Sequence, residues 1–427
     1  ISGTTNGNLS ADAVAFVDLD QKPNEVWVDD NYSNNNSGEH FWEYDAFNNI
    51  QNGINAVKDG GTVYVATGTY EGFKIAERTN VTILGADLTN TVIQPTTLIS
   101  SGIAHKYTNN MATSVLVNNS KDITIKNLTI KSNNSTPSSG GPDTIVFWNA
   151  SSGNITDSNI TGTYTISGAQ TGQGIALDAS GNRNADLTIN NVSISGFQKN
   201  GIDAVNGNGA TSGSTGTIKL SVLGGSITGA GATSTIAQNG ILVWNRDGSS
   251  VIGTVDGTTI KDFVYSPEKT SAGILAYEGG SVPTVKNASF SNCDYYLSTG
   301  SQVMDATSNN TFDGTLPSST TLTKLGEIQD RLLDKLDKGS SPTDNSIFII
   351  PNTAIATPNN LGIQAAINAV TDGGTVYVAA GTYNESPNVN KSINLQSTNG
   401  KDNTIIQLQN GPTYLGSLTI ATSNTTI

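Results

Sequence analysis

Hydrophobic residues along this chain fall in short alternating runs, broken every few positions by Gly, Asn or Asp. Asp122-Ile123-Thr124-Ile125-Lys126-Asn127-Leu128-Thr129-Ile130 has degenerate cousins at 187–194 and 284–290. A period of two is the pattern of a strand with one buried face. A second recurring unit is a Gly-Ile pair opening a strand, at Gly174-Ile175, Gly201-Ile202, Gly240-Ile241 and Gly273-Ile274, spaced by 27, 39 and 33 residues. Strands this short cannot bury a face alone, whereas stacked coils of roughly 20–40 residues share one core. The pattern predicts an all-β solenoid.

One stretch departs from period two and occurs twice. Residues 50–70 return at 363–383, 313 residues later, identical at 17 of 21 positions. The mismatches are Asn52/Ala365, Gly53/Ala366, Lys58/Thr371 and Thr67/Ala380. Phe47, Ile50, Ile54 and Val57 recur at helical spacing, Asp59-Gly60-Gly61 stops the helix, and 62–66 alternates as a strand. A helix over about 45–60 would cap the open end of a stack. Strands at 73–75, 81–85 and 91–94 would complete the first coils. Helical spacing returns at Leu322, Leu325, Ile328, Leu332 and Leu336, predicting a closing helix over about 322–338. The division expected is therefore a first β-helix over 1–338, a linker over 339–360 and the start of a second over 361–427. In the linker the apolar run 347–350 matches the strand before the first cap. The second unit has strands near 375–379, 393–395, 404–408 and 417–420, and no terminating helix. Either the chain continues past Ile427 or another subunit completes the stack.

Composition narrows the picture. Only 13% of residues are charged and 46 are glycine, which suits tight turns around a thin apolar interior. A formal charge of −14 leaves no basic patch for nucleic acid. Cys293 is alone, so no internal disulfide forms, and it reads as a small buried hydrophobe. No run is long enough to span a membrane. Asn-X-Ser/Thr acceptors recur, at Asn8, Asn80, Asn127, Asn154, Asn191 and Asn287 among others, in keeping with an extracellular or cell-surface address.

Trp27-Val28-Asp29-Asp30-Asn31-Tyr32, then Ile50-Gln51-Asn52-Gly53-Ile54 and Gly61-Thr62-Val63-Tyr64-Val65, resemble the opening of right-handed parallel β-helix repeat modules in large archaeal and bacterial cell-surface proteins of S-layer-like, sheath-like or adhesin-like kind. The resemblance covers 25–95 and 361–383 and is only general between them. It implies a right-handed parallel β-helix with short capping helices and an extracellular place. It does not imply an activity, because the same fold hosts polysaccharide lyases, hydrolases and esterases.

Aligning the Gly-Ile strands, with 145–148 added, puts Trp148, Asp178, Val205, Trp244 and Tyr277 in one column. Asn149, Ala179, Asn206, Asn245 and Glu278 form the next. Aromatic rings beside carboxylates would suit sugar binding, with Trp148, Trp244 and Tyr277 stacking on rings. Asp178, Asp203, Asp247 and Glu278 would then do proton work, and Arg246 would stabilise an anion. The plainer reading is a structural ladder of stacked aromatics and paired asparagines. Two absences weigh against catalysis: neither His40 nor His105 stands in a Gly-His-Gly setting, and the Gly-Ile strands carry no Asp-Asp pair. Asp29, Asp30 and Glu39 could gather around calcium, although Asx-rich loops more often satisfy their own turns.

The expectation is thus a non-catalytic extracellular building block, assembling with copies of itself or neighbouring modules in a surface layer, sheath or adhesin. Its rival is a polysaccharide-binding or polysaccharide-degrading protein, a lyase or glycosidase. The direction in which Asp178 and its neighbours point separates the two.

Overall fold

The computed structural model describes residues 21–100, 112–133, 142–149, 151–165, 168–179, 184–206, 216–245, 251–266, 268–277, 283–299, 309–333, 353–359, 362–408, 418–420 and 426–427. Three long sheets run the length of the first unit, and the chain visits them in rotation, one strand per sheet per coil. The first sheet runs from Ala46–Phe47 and Glu25–Val28 through Thr62–Val65 to Thr284–Lys286. The second runs from Gly68–Tyr70 to Thr311–Phe312, and the third from Phe73–Ala76 to Leu332–Leu333. Pairing within them is parallel except where Ile99–Ser100 lies antiparallel on Ala112–Asn118. The fold is a right-handed parallel β-helix, as the sequence pattern predicts.

One hydrophobic core fills the helix from Val26 to Leu332, built from the inward aliphatic and aromatic residues of the coils. The turn between the first and second sheets repeatedly uses a left-handed residue: Asn127, Asp157, Asn191, Gly257 and Asn287 all have positive φ. This turn gives the degenerate repeats their common Asn, and all three of these amides reach back a coil, Asn127 to the Gly85 carbonyl, Asn191 to Asp157 and Asn287 to Asp256.

The helices are shorter than the periodicity predicts. Helix α1 spans Ile50–Ala56, with Asn49 accepting the Asn52 N–H as its N-cap. Phe47 belongs instead to the strand Ala46–Phe47, and Val57 is already extended. Helix α2 spans Leu322–Gln329 rather than 322–338, because Leu332 and Leu333 pair with Leu297 and Ser298 to finish the third sheet. Leu336 and the rest of the predicted helix lie outside the described residues. Helix α3, Ile363–Ala369, opens the second unit. The strand before it is Thr353–Ala356, whereas the expected run 347–350 lies outside the described residues. The second unit has its own core, from Ala354 to Leu395. Its strands Gly381–Tyr383 and Asn388–Val389, like Gly68–Tyr70 in the first unit, are too short for alternation to reveal. Among the described residues no helix is long and apolar enough to cross a membrane.

Candidate functional site

The Gly-Ile strands all lie in the third sheet, and their register reproduces the alignment made from sequence. Asp178 pairs with Val205, Val205 with Trp244, and Trp244 with Tyr277, while Ala179 pairs with Asn206 and Asn206 with Asn245. Trp148 continues the same row one coil earlier, beside Asn118. Ile175, Leu177 and Ala179 enter the central core, so Ala176 and Asp178 face the other way. Ala176 indeed joins Leu116 and Val146 in a separate small cluster against Trp148 and Ile99.

The Gly-Ile pair has a steric cause. A Cβ on Gly201 would lie 2.5 Å from Ile227 Cγ2 and 2.7 Å from the Gly240 carbonyl oxygen; one on Gly240 would lie 2.4 Å from the Gly273 oxygen. The glycine thus faces inward as well as the isoleucine after it. Two consecutive inward positions reset the alternation, so the residue before each glycine emerges beside the cleft. Gln173, Asn200 and Asn239 occupy those places.

On this outer face lie two adjoining hollows. The larger, about 200 Å³, is lined by Lys199, Asn200, Asp203, Trp244 and Tyr277 over Leu242 and Leu275. The smaller, about 20 Å³, is lined by Trp148, Gln173, Asp178, Asp203 and Val205. Asp203 belongs to both. From the strand of Trp148 to that of Tyr277 there are four strand spacings, or about 19 Å. Trp244 is buried and meets exposed Tyr277 edge to face, centroids 5.5 Å apart. The aromatics form no continuous ladder, since a carboxylate and a valine separate Trp148 from Trp244.

Asp203 pairs with Ala176, which places it diagonally from Asp178. Sheet spacings of about 4.8 Å between strands and ~3.3 Å per residue put the two α-carbons about 8 Å apart. Both carboxyls are almost fully buried, and among the described residues Oδ1 of each has no hydrogen-bond partner. Burial pushes Asp178 well above the usual carboxylate range, and the charge of Asp203 adds to this. Burial and repulsion from Asp143 raise Asp203 to about 7, against the pull of Asn200 and Lys199. Lys199 is lowered to about 8 by burial, opposed by Asp203, and its Nζ donates to the Ala237 carbonyl at 2.6 Å. Asp143 is also raised to about 7 by burial, although it accepts the Gln173 N–H at 2.7 Å. A pair so placed holds a proton near neutrality, as acid–base chemistry requires.

The structure therefore brings together Trp148, Asp178, Asp203, Trp244 and Tyr277. Arg246, Asp247 and Glu278 lie outside the described residues. Sequence reasoning missed Asp143, Lys199, Gln173, Asn200 and Asn239, although the last two carried a signal in Asn-Gly-Ile at 200–202 and 239–241.

Asp29 and Asp30 are engaged by their own turn. Asp29 Oδ1 accepts the Asn31 N–H at 2.9 Å and its side-chain amide at 3.0 Å, Asp30 Oδ1 accepts the same amide at 2.8 Å, and Asp30 Oδ2 accepts the Thr69 N–H. Glu39 is exposed on the neighbouring loop. Among the described residues no group of three His, Cys, Asp or Glu is placed to hold a metal ion. His40 stacks on Trp27, centroids 4.0 Å apart. Cys293 is buried, with its thiol pushed up to about 12, and so is unreactive.

No family model and no curated protein matches the chain. Solved structures similar to it include pectin methylesterase PemA from Erwinia chrysanthemi, 12% identical, with 73% of this chain and 92% of that one covered and a TM-score of 0.39. The pectin methylesterase of Aspergillus niger is 16% identical over 67% of this chain and 93% of that one, with a TM-score of 0.36. A pectin methylesterase solved with a hexasaccharide is 12% identical over 74% and 93%, with a TM-score of 0.40. Identities this low concern the fold alone. The expectation of a non-catalytic surface-layer, sheath or adhesin component is corrected to this extent: these three neighbours are pectin methylesterases, and the likeness supports no surface-layer, sheath or adhesin role. What the chain shares with known proteins is the right-handed parallel β-helix.

Proposed function

We propose that this protein binds a polysaccharide along the outer face of its third sheet and cleaves a bond of it with Asp178 and Asp203 acting as an acid and base pair. The observation that carries the reading is this pair: two buried carboxyls on adjacent coils, each with an unpartnered oxygen, at the junction of two hollows walled by Trp148, Trp244 and Tyr277. An unpaired buried carboxyl oxygen costs stability, so a fold that keeps two side by side keeps them for a ligand. The rings offer apolar faces on which sugar rings rest. Of two such carboxyls, the protonated one can donate to a departing oxygen while the other activates water or attacks the reacting carbon. A cell-exterior address accompanies a polymer substrate of this size.

The test is a panel of neutral and acidic polysaccharides, pectin among them, assayed for binding, for new reducing ends and for released acid. Asp178→Asn and Asp203→Asn are each expected to lower turnover at least about 100-fold while leaving binding measurable. A substrate turned over equally well by both variants, or no binding across the panel by the unaltered protein, removes the reading.

A further inference from the structure

We propose that Asn239 and Asn200 are positioning residues, forming an amide relay anchored on the Ala272 backbone N–H that makes Asp203 the ionised member of the pair and leaves the proton to Asp178. The direction of the relay follows from donor chemistry. A backbone N–H can only donate, so the Ala272 N–H, 3.2 Å from Asn239 Oδ1, fixes which end of that side chain faces it. The opposite end, Nδ2, then donates to Asn200 Oδ1 at 3.0 Å. With its oxygen occupied, Asn200 is left with its NH₂ for Asp203, which lines the same hollow, and an N–H stabilises the ionised carboxylate.

The row is braced from the other side. The Asn200 backbone N–H donates to Gln173 Oε1 at 2.9 Å, and the Gln173 N–H to Asp143 Oδ1 at 2.7 Å. Asn200 and Asn239 are each about 98–99% buried, so water does not compete for these amides. Gln173, Asn200 and Asn239 each directly precede a Gly-Ile pair, as does Ala272, where the row ends and the backbone takes over.

Asp178 has no such support. Among the described residues its Oδ1 meets no donor, and the charge that acts on it is that of Asp203. Among the described residues, the charged and titratable groups around Asp203 are Asp178 from the preceding coil, Asp143 from the coil before that, Lys199 at the entry to its own strand, and Tyr277 two coils on. Lys199 spends one N–H on Ala237. The relay is what distinguishes the two carboxyls that burial alone would make alike.

The inference rests on Asp178 and Asp203 being the working pair, but its test needs no substrate, so a failed substrate screen and a failed relay are told apart. The full chain, labelled with ¹³C at aspartate carboxyls, is titrated by NMR, with Asp→Asn variants giving the assignments. In the unaltered protein Asp203 is expected to ionise at lower pH than Asp178. Asn239→Ala, remote from the carboxyl itself, is expected to raise the Asp203 midpoint by about one pH unit and to leave Asp143 unmoved. If the alanine variant does not fold, Asn239→Thr, which fills the site but is too short to join both neighbours, should give the same shift. Asp178 ionising first overturns the proposal. So does an Asp203 midpoint that responds to Asn200→Ala but not to either change at Asn239.

Discussion

The two units open on nearly the same 21 residues and build the same interior from them, yet each covers its outer face differently. Arg78 donates to the carbonyls of Ile54 and Val57 at the end of α1; Lys391, 313 residues on, donates to Asn368 and Val370 at the end of α3. Tyr70 and Tyr383 bond to Ala66 and Ala379 in the same way. Outside, Trp27 stacks on Tyr64 and on His40, the latter on the loop that follows the first strand. The corresponding residues of the second unit are Ile355, buried in the core of the first unit, and Tyr377, packed against it. Helix α2 supplies that cover, its Gly326 lying over Ala379 and Thr357. An identical repeat thus specifies its own inside, while its outside takes whatever cover the neighbouring chain provides.

The largest test of this difference is a charge on the outer face of each unit. Ile355→Asp would bury an unpaired carboxylate and is expected to cost on the order of 3 kcal/mol or more, with the second unit becoming sensitive to proteolysis. Trp27→Asp, half-exposed, should cost about 1 kcal/mol from lost stacking. Equal losses in denaturant unfolding would mean that the two faces are covered alike.

A smaller effect concerns the mismatch Gly53/Ala366. A Cβ on Gly53 would lie 2.8 Å from Val28 Cγ2 and 3.2 Å from Val26 Cγ1. The second unit has Ala354 and Ala356 at the places of these valines, judged by their pairing with Val376 and Val378. Gly53→Ala should therefore cost about 1–3 kcal/mol by overpacking. Combined with Val28→Ala it should show a favourable coupling of about 1 kcal/mol; strict additivity would show that the two substitutions are unrelated.

The smallest is a difference in pH response. Asp143, Asp178 and Asp203 are buried in the first unit, and no acid among the described residues of the second is buried. Folding raises the proton affinity of Asp203 from an ordinary 3.8 to about 7. It therefore binds its proton more tightly folded than unfolded. The stabilisation is full below about pH 4 and is lost as pH rises through about 7. Melting of the first unit should fall by a few degrees between pH 5 and pH 8. Asp203→Asn should flatten that slope, and a slope unchanged in the variant would locate the effect elsewhere.

Much of the candidate site was legible because sterics wrote it into the chain. Glycine before isoleucine marks the inward corner of each coil, so aligning the pairs placed Trp148, Asp178, Val205, Trp244 and Tyr277 in their true row. Asp203 was visible only as a carboxylate, two positions out of that row. Gln173, Asn200 and Asn239 were hidden because strict alternation assigns the residue two before an inward isoleucine to the interior, and the double inward step reverses this. The helices were overextended for a related reason: Phe47 and Leu332 are apolar at helical spacing, but parallel pairing with neighbouring strands satisfies their backbone better than one more turn of an isolated helix.

The sequence by itself determined the solenoid, its duplicated opening and the row that Asp178 and Trp244 share, but not the way that row faces. Each of these rests on local periodicity and on turns that only glycine or asparagine makes cheaply. Tertiary structure alone decided which carboxyls meet, how deeply they are buried and which amide faces which. Those contacts join residues some 25–40 positions apart on successive coils, as in Asn239 to Asn200 and Asn200 to Gln173. Their energies depend on the water that stacking excludes, which no single coil can exclude by itself.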